Sequence, residues 1–353
     1  MFLILTHLTE MLKMNLSECL EATYFCAMLL QNSPILITGA AGFIGSCIAS
    51  FFNQHGFHNL YLVDDFNRED KQLNFSHLKY AKLIDRNILE MELETIEKPQ
   101  WIIHFGARTD TTEMRYEIHE KWNVVYSKMI WKFATTFQIP LVYASSAATY
   151  GNGELGYDDR HDILHQLQPL NPYGVSKNEF DKWVLEQQAK PPHWYGLKFF
   201  NVFGPNEYHK GRMASVIFHA FHQIKQNHSM RLFRSHHPNY ADGEQQRDFI
   251  YVKDLLQMVY WLMEHTPSDG LYNIGTGKAE TFLSLAHAVF SALDLPSSIE
   301  FVDTPLDIRD KYQYFTEATM HKLRSAGYDK PCFTLHDAVR DYVQNYLKSQ
   351  HYF

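Results

Sequence analysis

The chain has 353 residues, 45% of them hydrophobic, enough for a large core and two lobes, so an intrinsically disordered protein is excluded. Its 32 basic and 40 acidic residues leave a net charge of −8 with no basic run, which argues against nucleic acid and anionic membrane surfaces as partners. The four cysteines, Cys19, Cys26, Cys47 and Cys332, show neither metal-ligand spacing nor a disulfide framework, so a reducing cytosol is the expected setting and no metal is expected.

Residues 1–33 stand apart from the rest. Leu5, Leu8, Leu12, Leu16 and Leu20 fall at helical spacing and predict an amphipathic helix. No basic run precedes the apolar start, and the apolar runs are too short to span a bilayer. The segment reads as an extension of uncertain order ahead of the fold, with Met28 a candidate later start.

From Ile35 the pattern becomes regular. Strands are predicted over 35–38, 60–63, 81–86, 99–107, 140–146 and 194–200, and helices over 43–54, 122–137 and 171–189. This β-α alternation with short connections predicts a parallel sheet covered on both faces. After Asn201 the alternation lapses, and 228–247 reads as an irregular, His-rich loop. Further elements are predicted at 252–264 (helix), 271–275 (strand), 281–293 (helix), 298–302 (strand) and 333–347 (helix).

The first strand runs into Gly39-Ala-Ala-Gly42-Phe-Ile-Gly45, a glycine turn opening a helix. Side chains at these three positions would keep a phosphate away from the turn, while the helix N-terminus offers unpaired N–H groups and partial positive charge. The next strand ends in Asp64-Asp65, about twenty residues on, where a carboxylate can hold a ribose hydroxyl. Ligands of such sheets sit beyond the carboxyl ends of the strands, which gathers Gly39, Asp64, Gly106 and Ser146 along one edge. The fold class expected is α/β: a Rossmann-type doubly wound parallel sheet over 34–200 that binds a dinucleotide, and a smaller, mainly substrate-binding lobe over 201–353 with some segments returning to the sheet.

Tyr173 and Lys177 are four residues apart and share a helix face. An ammonium beside a phenol favours the phenolate, so Lys177 is expected to draw the Tyr173 pKa towards neutral. Such a tyrosine can move a proton on or off a hydroxyl or carbonyl. Ser146, at a strand end, is placed to hydrogen-bond the same substrate oxygen.

These residues, in this order, resemble the extended short-chain dehydrogenase/reductases, which include nucleotide-sugar epimerases and dehydratases. The resemblance spans about 34–347 and extends through Ser145-Ser146-Ala-Ala-Thr-Tyr150-Gly151, Tyr173-Gly-Val-Ser-Lys177 and Phe200-Asn201-Val-Phe-Gly-Pro205. Further runs are similar to the ADP-heptose 6-epimerase branch: Glu207-Tyr-His-Lys210-Gly-Arg-Met213-Ala-Ser215, Arg247-Asp-Phe-Ile-Tyr-Val, Tyr272-Asn-Ile-Gly-Thr-Gly, Tyr312-Gln-Tyr-Phe-Thr and Leu323-Arg-Ser-Ala-Gly-Tyr-Asp-Lys-Pro331.

What the resemblance implies is oxidation of the sugar at C6 to a ketone and return of hydride to the opposite face, towards the lipopolysaccharide inner core. Tyr173 would handle one proton and Lys210 a second, the latter only if desolvation or nearby positive charge lowers its pKa. Ser146 would steady the oxygen, and Lys177 would tune Tyr173 and hold the nicotinamide ribose. Cofactor contacts carried over are Gly39, Gly42, Phe43, Ile44, Gly45, Asp64, Asp65, Lys71, Arg86, Phe105, Gly106, Ala107, Arg108, Thr109, Asn123 and Val202, with Tyr173, Lys177 and Lys210 shared. The family's epimerase favours NADP, and Lys71 and Arg86 match its basic positions. Asp65, where the family has Asn, keeps NAD as the alternative.

Substrate contacts carried over are Ser146, Asn201, Arg212, His219, Phe233, Arg234, Ser235, His236, Arg247 and Tyr312. Arg212 stands where the family has a small hydroxyl residue, and Phe105 where it has an acidic one. The implied partner is an ADP-heptose in a Gram-negative cytoplasm, and the implied assembly a homo-oligomer. Competing readings are a C4-epimerase, a 4,6-dehydratase and a non-catalytic dinucleotide sensor. A dehydratase would carry an Asp-Glu pair where Ala147-Ala148 stands, and sensors of this type lack the Tyr or the Lys.

Overall fold

The computed structural model describes residues 29–309 and 312–353. The predicted helix of the first segment, with Cys19, Cys26 and Met28, lies outside them. Seven parallel strands form the main sheet: β1 (Ile35–Thr38), β2 (Leu60–Asp64), β3 (Lys82–Asp85), β4 (Trp101–His104), β5 (Leu141–Ser146), β6 (Trp194–Phe199) and β7 (Gly270–Ile274). Their order across the sheet is β7-β6-β5-β4-β1-β2-β3, so the direction of winding reverses at β1. The crevice beside such a reversal is where ligands of open α/β sheets bind.

The central strands read as unbroken apolar runs because both sheet faces are covered. Every residue of β1, β2 and β4 is buried. Helix α1 (Phe43–Gln54) follows β1 and packs against the later helix Val252–His265. On the β4–β6 side, α2 (Tyr126–Thr136) extends a helical run that begins at Tyr116 and passes through a π turn at Glu120–Val125, earlier than the sequence predicts. Helix α3 (Pro172–Glu186) packs against that π turn, and its N-terminus is capped by Asn171 with proline in the first turn.

The later chain is more ordered than a lapse of alternation after Asn201 and an irregular loop over 228–247 anticipate. A helix, Val216–Asn227, is capped by the Ser215 hydroxyl, and Met230–Phe233 pairs in parallel with Ile299–Val302. Phe282–Ala292 packs between Val216–Asn227 and Leu335–Tyr342. Strand β7 returns to the main sheet beside β6.

Candidate active site

A cavity of about 670 Å³ opens beyond the carboxyl ends of β1, β2, β4 and β5. Gly39, Asp64, Gly106 and Ser146 all line it, as the edge rule requires. The turn is built by close backbone approach. Gly39 has φ +72°, and a Cβ there would sit 2.7 Å from the Gly106 nitrogen; a Cβ on Gly45 would sit 2.0 Å from the Gly39 carbonyl oxygen. These two glycines are therefore required first by the packing of β1 on β4 and of α1 on the turn, not only by phosphate access. Gly42 caps α1 without a side-chain bond, and no acidic residue occupies the first turn. The N-terminus of a three-turn helix thus faces the cavity with its partial positive charge unanswered, which fits a pyrophosphate.

At the ribose end, charges are already paired. The Asp64 carboxylate accepts from the Ala41 N–H at 3.0 Å and from Lys71 at 3.0 Å. Asp65 accepts from Arg86 at 3.3 Å, and Arg86 lies over the Trp122 ring at 4.3 Å. Asp64, Lys71, Arg86 and Arg68 line the cavity, whereas Asp65 stands outside its lining. Lys71 and Arg86, matched to the family's basic positions for a 2′-phosphate, each already have a carboxylate.

The β4 end is framed from behind. Buried Asn123 accepts from the Arg108 N–H at 2.8 Å and donates to the Arg108 carbonyl at 3.0 Å and to Ser176 at 2.9 Å. It shapes the Phe105–Thr109 segment without lining the cavity itself. Buried His104 bonds Thr38 at 2.7 Å and Ser127 at 2.8 Å, and burial holds its ring down at about 3, hence neutral. Neither Thr38 nor His104 carries a motif signal in the sequence.

Ser146, Tyr173 and Lys177 line the same cavity. Ser146 Oγ accepts from the Ala148 N–H at 3.1 Å, which leaves the hydroxyl hydrogen for another acceptor. Burial pushes the Tyr173 phenol up, and its hydrogen bond with Ser146 offsets this only partly. The expected fall towards neutral is not seen: desolvation leads, Asp181 adds to it, and the Lys177 ammonium is engaged with the Ala144 carbonyl at 2.7 Å. Burial draws Lys177 down to about 8, with the Asp181 carboxylate acting against it.

Lys210 enters from a separate element, the helical turn Tyr208–Met213, with its ammonium over the Phe43 ring at 5.3 Å. Burial lowers its pKa and buried Glu207 opposes this, so the condition set for it as a proton-handling group holds in direction. His209, its neighbour, also lines the cavity, and burial brings it to about 4. Phe105 packs edge-on against Phe199 at 5.3 Å, and Asn201 and Val202 complete the wall with Phe43 and Ile44. Met213 and Ile217 beside Lys210 were not anticipated, since the helix that begins at Val216 was not.

The remaining substrate candidates fall into two groups outside this lining. Arg212 is exposed, bonds Thr112 and lies 3.7 Å from Asp110; His219 Nε2 is 3.4 Å from the Arg212 carbonyl. Phe233, Arg234, Ser235, His236, Arg247 and Tyr312 gather in the later lobe. Phe233 and Tyr312 pack edge-on at 6.0 Å, and Arg247 lies over the Tyr312 ring at 5.5 Å. The buried Arg247 guanidinium donates to the Gln246 and Gln313 carbonyls. Arg234 and the Ser235 N–H both engage Asp242, and the His236 N–H donates to the Tyr314 hydroxyl. Gln313 bonds the Gly151 carbonyl and so ties this cluster to the turn after Ser146.

The pattern of the NAD dependent epimerase/dehydratase family matches residues 35–275. The chain belongs to that family. It is 44% identical to the ADP-L-glycero-D-manno-heptose-6-epimerase of Fusobacterium nucleatum over 327 residues, covering 90% of this chain and 98% of the relative. It is 43% identical to the enzyme of the same name from Nitratidesulfovibrio vulgaris, covering 88% and 97%. Among solved structures, the Helicobacter pylori ADP-L-glycero-D-manno-heptose-6-epimerase superposes with a TM-score of 0.77 at 26% identity, covering 89% of this chain and 96% of that one. As a member of this family the chain is an epimerase-type enzyme built to use a nicotinamide cofactor. No described helix is long and apolar enough to cross a membrane.

Proposed function

We propose that this enzyme interconverts the C6 epimers of ADP-glycero-manno-heptose, supplying a heptose for the lipopolysaccharide inner core in the cytoplasm of a Gram-negative bacterium. The observation that carries the reading is that Tyr173 and Lys210, proton-handling groups on separate elements, line one cavity with the glycine turn. Residues 34–200 form the dinucleotide-binding part and 201–353 mainly the substrate part, with β7 lent to the sheet.

When bound, the nicotinamide dinucleotide supplies the acceptor and donor of the C6 hydride. The turn residues Gly39, Gly42, Phe43, Ile44 and Gly45 hold the pyrophosphate, and Asp64 with Lys71 meets the ribose. Tyr173 takes the C6 hydroxyl proton as the ketone forms; this needs its phenolate, so Lys177, together with the positive nicotinamide of a bound cofactor, would have to offset the burial that raises the phenol. Ser146 turns its hydroxyl hydrogen from Tyr173 to the same oxygen, and Lys177 supports the pair. Lys210 serves the opposite face of the sugar, where its burial brings it closer to exchanging a proton. The Phe233–Tyr312 cluster, Arg247 included, receives the nucleotide end. We propose NADP as the cofactor, with Arg86 the residue that meets the 2′-phosphate, and a homo-oligomer as the working form.

The test is to incubate purified protein with ADP-D-glycero-D-manno-heptose and no added cofactor, then separate the C6 epimers. Appearance of the L-glycero form supports the reading and shows that cofactor co-purifies. Absence of conversion, even with NADP or NAD added, overturns it in favour of C4 epimerisation of a nucleotide hexose.

A further inference from the structure

Behind the reacting groups lies a fully buried ion pair that the mechanism above does not use. Lys198 on β6 donates to the Asp181 carboxylate of α3 at 2.8 Å, and both side chains are completely shielded from solvent. Each partner also grips the chain on one side of Ser146, Asp181 the strand before it and Lys198 the turn after it. Asp181 accepts from Ser145 Oγ at 2.6 Å and from the Tyr143 hydroxyl at 3.0 Å. Lys198 donates to Thr149 Oγ1 at 2.7 Å, whose hydroxyl in turn donates to the Ser146 carbonyl at 2.8 Å. Asp181 lies one helical turn beyond Lys177 and two beyond Tyr173.

We propose that Asp181 and Lys198 are positioning residues for the reaction: they clamp β5 to α3 so that Ser146 is held in register with Tyr173 and Lys177. The inference rests on the proposed reading of Ser146, Tyr173 and Lys177. A buried ion pair is weak evidence for stability, since apolar replacements of the same volume often serve as well, so its placement on both sides of the serine is the better account of its presence. The pair also sets the local field. Asp181 disfavours the Tyr173 phenolate and favours the Lys177 ammonium. The other titratable groups it faces are Tyr143 and Tyr150 on and after β5, His161 and Lys198, while the His119 ring lies 6.2 Å from that of Tyr173.

The experiment compares wild type with Asp181→Asn, Lys198→Arg and the double variant Asp181→Asn/Lys198→Met. One readout needs no substrate: the ionisation midpoint of Tyr173 in protein labelled with 13C at tyrosine Cζ, its resonance assigned by its loss in Tyr173→Phe. Asp181→Asn is expected to lower that midpoint, because the anion is gone and the Lys198 cation stays. The second readout is turnover of the nucleotide sugar the wild type epimerises. The double variant, with no stranded charge, is expected to fold and to lose kcat on the order of tenfold with KM little changed, as a loosened serine would give. Lys198→Arg is expected to keep most of the rate. An unmoved Tyr173 midpoint in Asp181→Asn, or full kcat in the double variant, overturns the proposal. If the single variant does not fold, the double variant decides alone, and if the wild type epimerises no sugar offered, the midpoint decides separately.

Discussion

Replacing Asp65 by Asn tests how the ribose end of the cavity chooses its cofactor. Asp65 pairs with Arg86 at 3.3 Å, with side chains 26% and 38% exposed, so water screens the pair substantially. Under such screening one pair of unit charges about 4 Å apart is worth about 1 kcal/mol. A 2′-phosphate carries about two negative charges, so removing the carboxylate that neutralises Arg86 is worth about 1–2 kcal/mol to NADP and little to NAD. That corresponds to a rise of about tenfold in the NADP-to-NAD affinity ratio. Arg86 should keep its place, because the Trp122 ring holds it from the other side. The assay is calorimetric titration of cofactor-stripped protein with each dinucleotide, at two salt concentrations. The shift should shrink as salt rises. An unchanged ratio would refute the reasoning and leave selectivity with the Asp64–Lys71 pair, while an equal loss for both cofactors would make Asp65 purely structural.

Three further outcomes are expected. Tyr173→Phe should lower turnover at least a hundredfold while the cofactor affinity stays within a few-fold, checked by single-turnover assay and titration; near-normal turnover would remove Tyr173 from the chemistry. Lys210→Met should reduce epimerisation far more than cofactor binding and should remove the alkaline limb of the pH–rate profile, which burial places below the ordinary lysine range. Equal losses in rate and binding would make Lys210 a binding residue. His104, held at about 3 against 6.5 for a free ring, leaves the unfolded chain binding more protons between those values, so it contributes stability that is lost as pH falls through that window. His104→Gln should therefore flatten the drop in melting temperature between about pH 6.5 and 5. A slope equal to that of wild type would mean that the ring is protonated in the fold or that other groups dominate.

The core of the fold was legible because its signals are local. A strand of four buried residues, a glycine turn and a twelve-residue helix occupy consecutive positions, and their periodicity is visible without knowing any neighbour. The same holds for Tyr173 and Lys177, which helix geometry alone places on one face. The later lobe was less legible. Its strands are short and pair with distant partners, as Met230–Phe233 does with Ile299–Val302, and such pairing leaves no periodic trace.

What the chain order could not disclose is decided by contacts between residues far apart. Gly45 looks like a phosphate glycine in the sequence, but the 2.0 Å approach of its missing Cβ to the Gly39 carbonyl makes it a packing glycine as well. Lys71 and Arg86 match basic positions in the sequence, and only the fold sets a carboxylate against each. Lys177 was expected to draw Tyr173 towards neutral, yet burial governs that phenol, and burial belongs to the assembled structure. Residue types and spacing determined which chemistry the chain could attempt. Three-dimensional packing decided which charges stay free and which are spent on one another, because solvent exclusion and ion pairing depend on what each side chain meets.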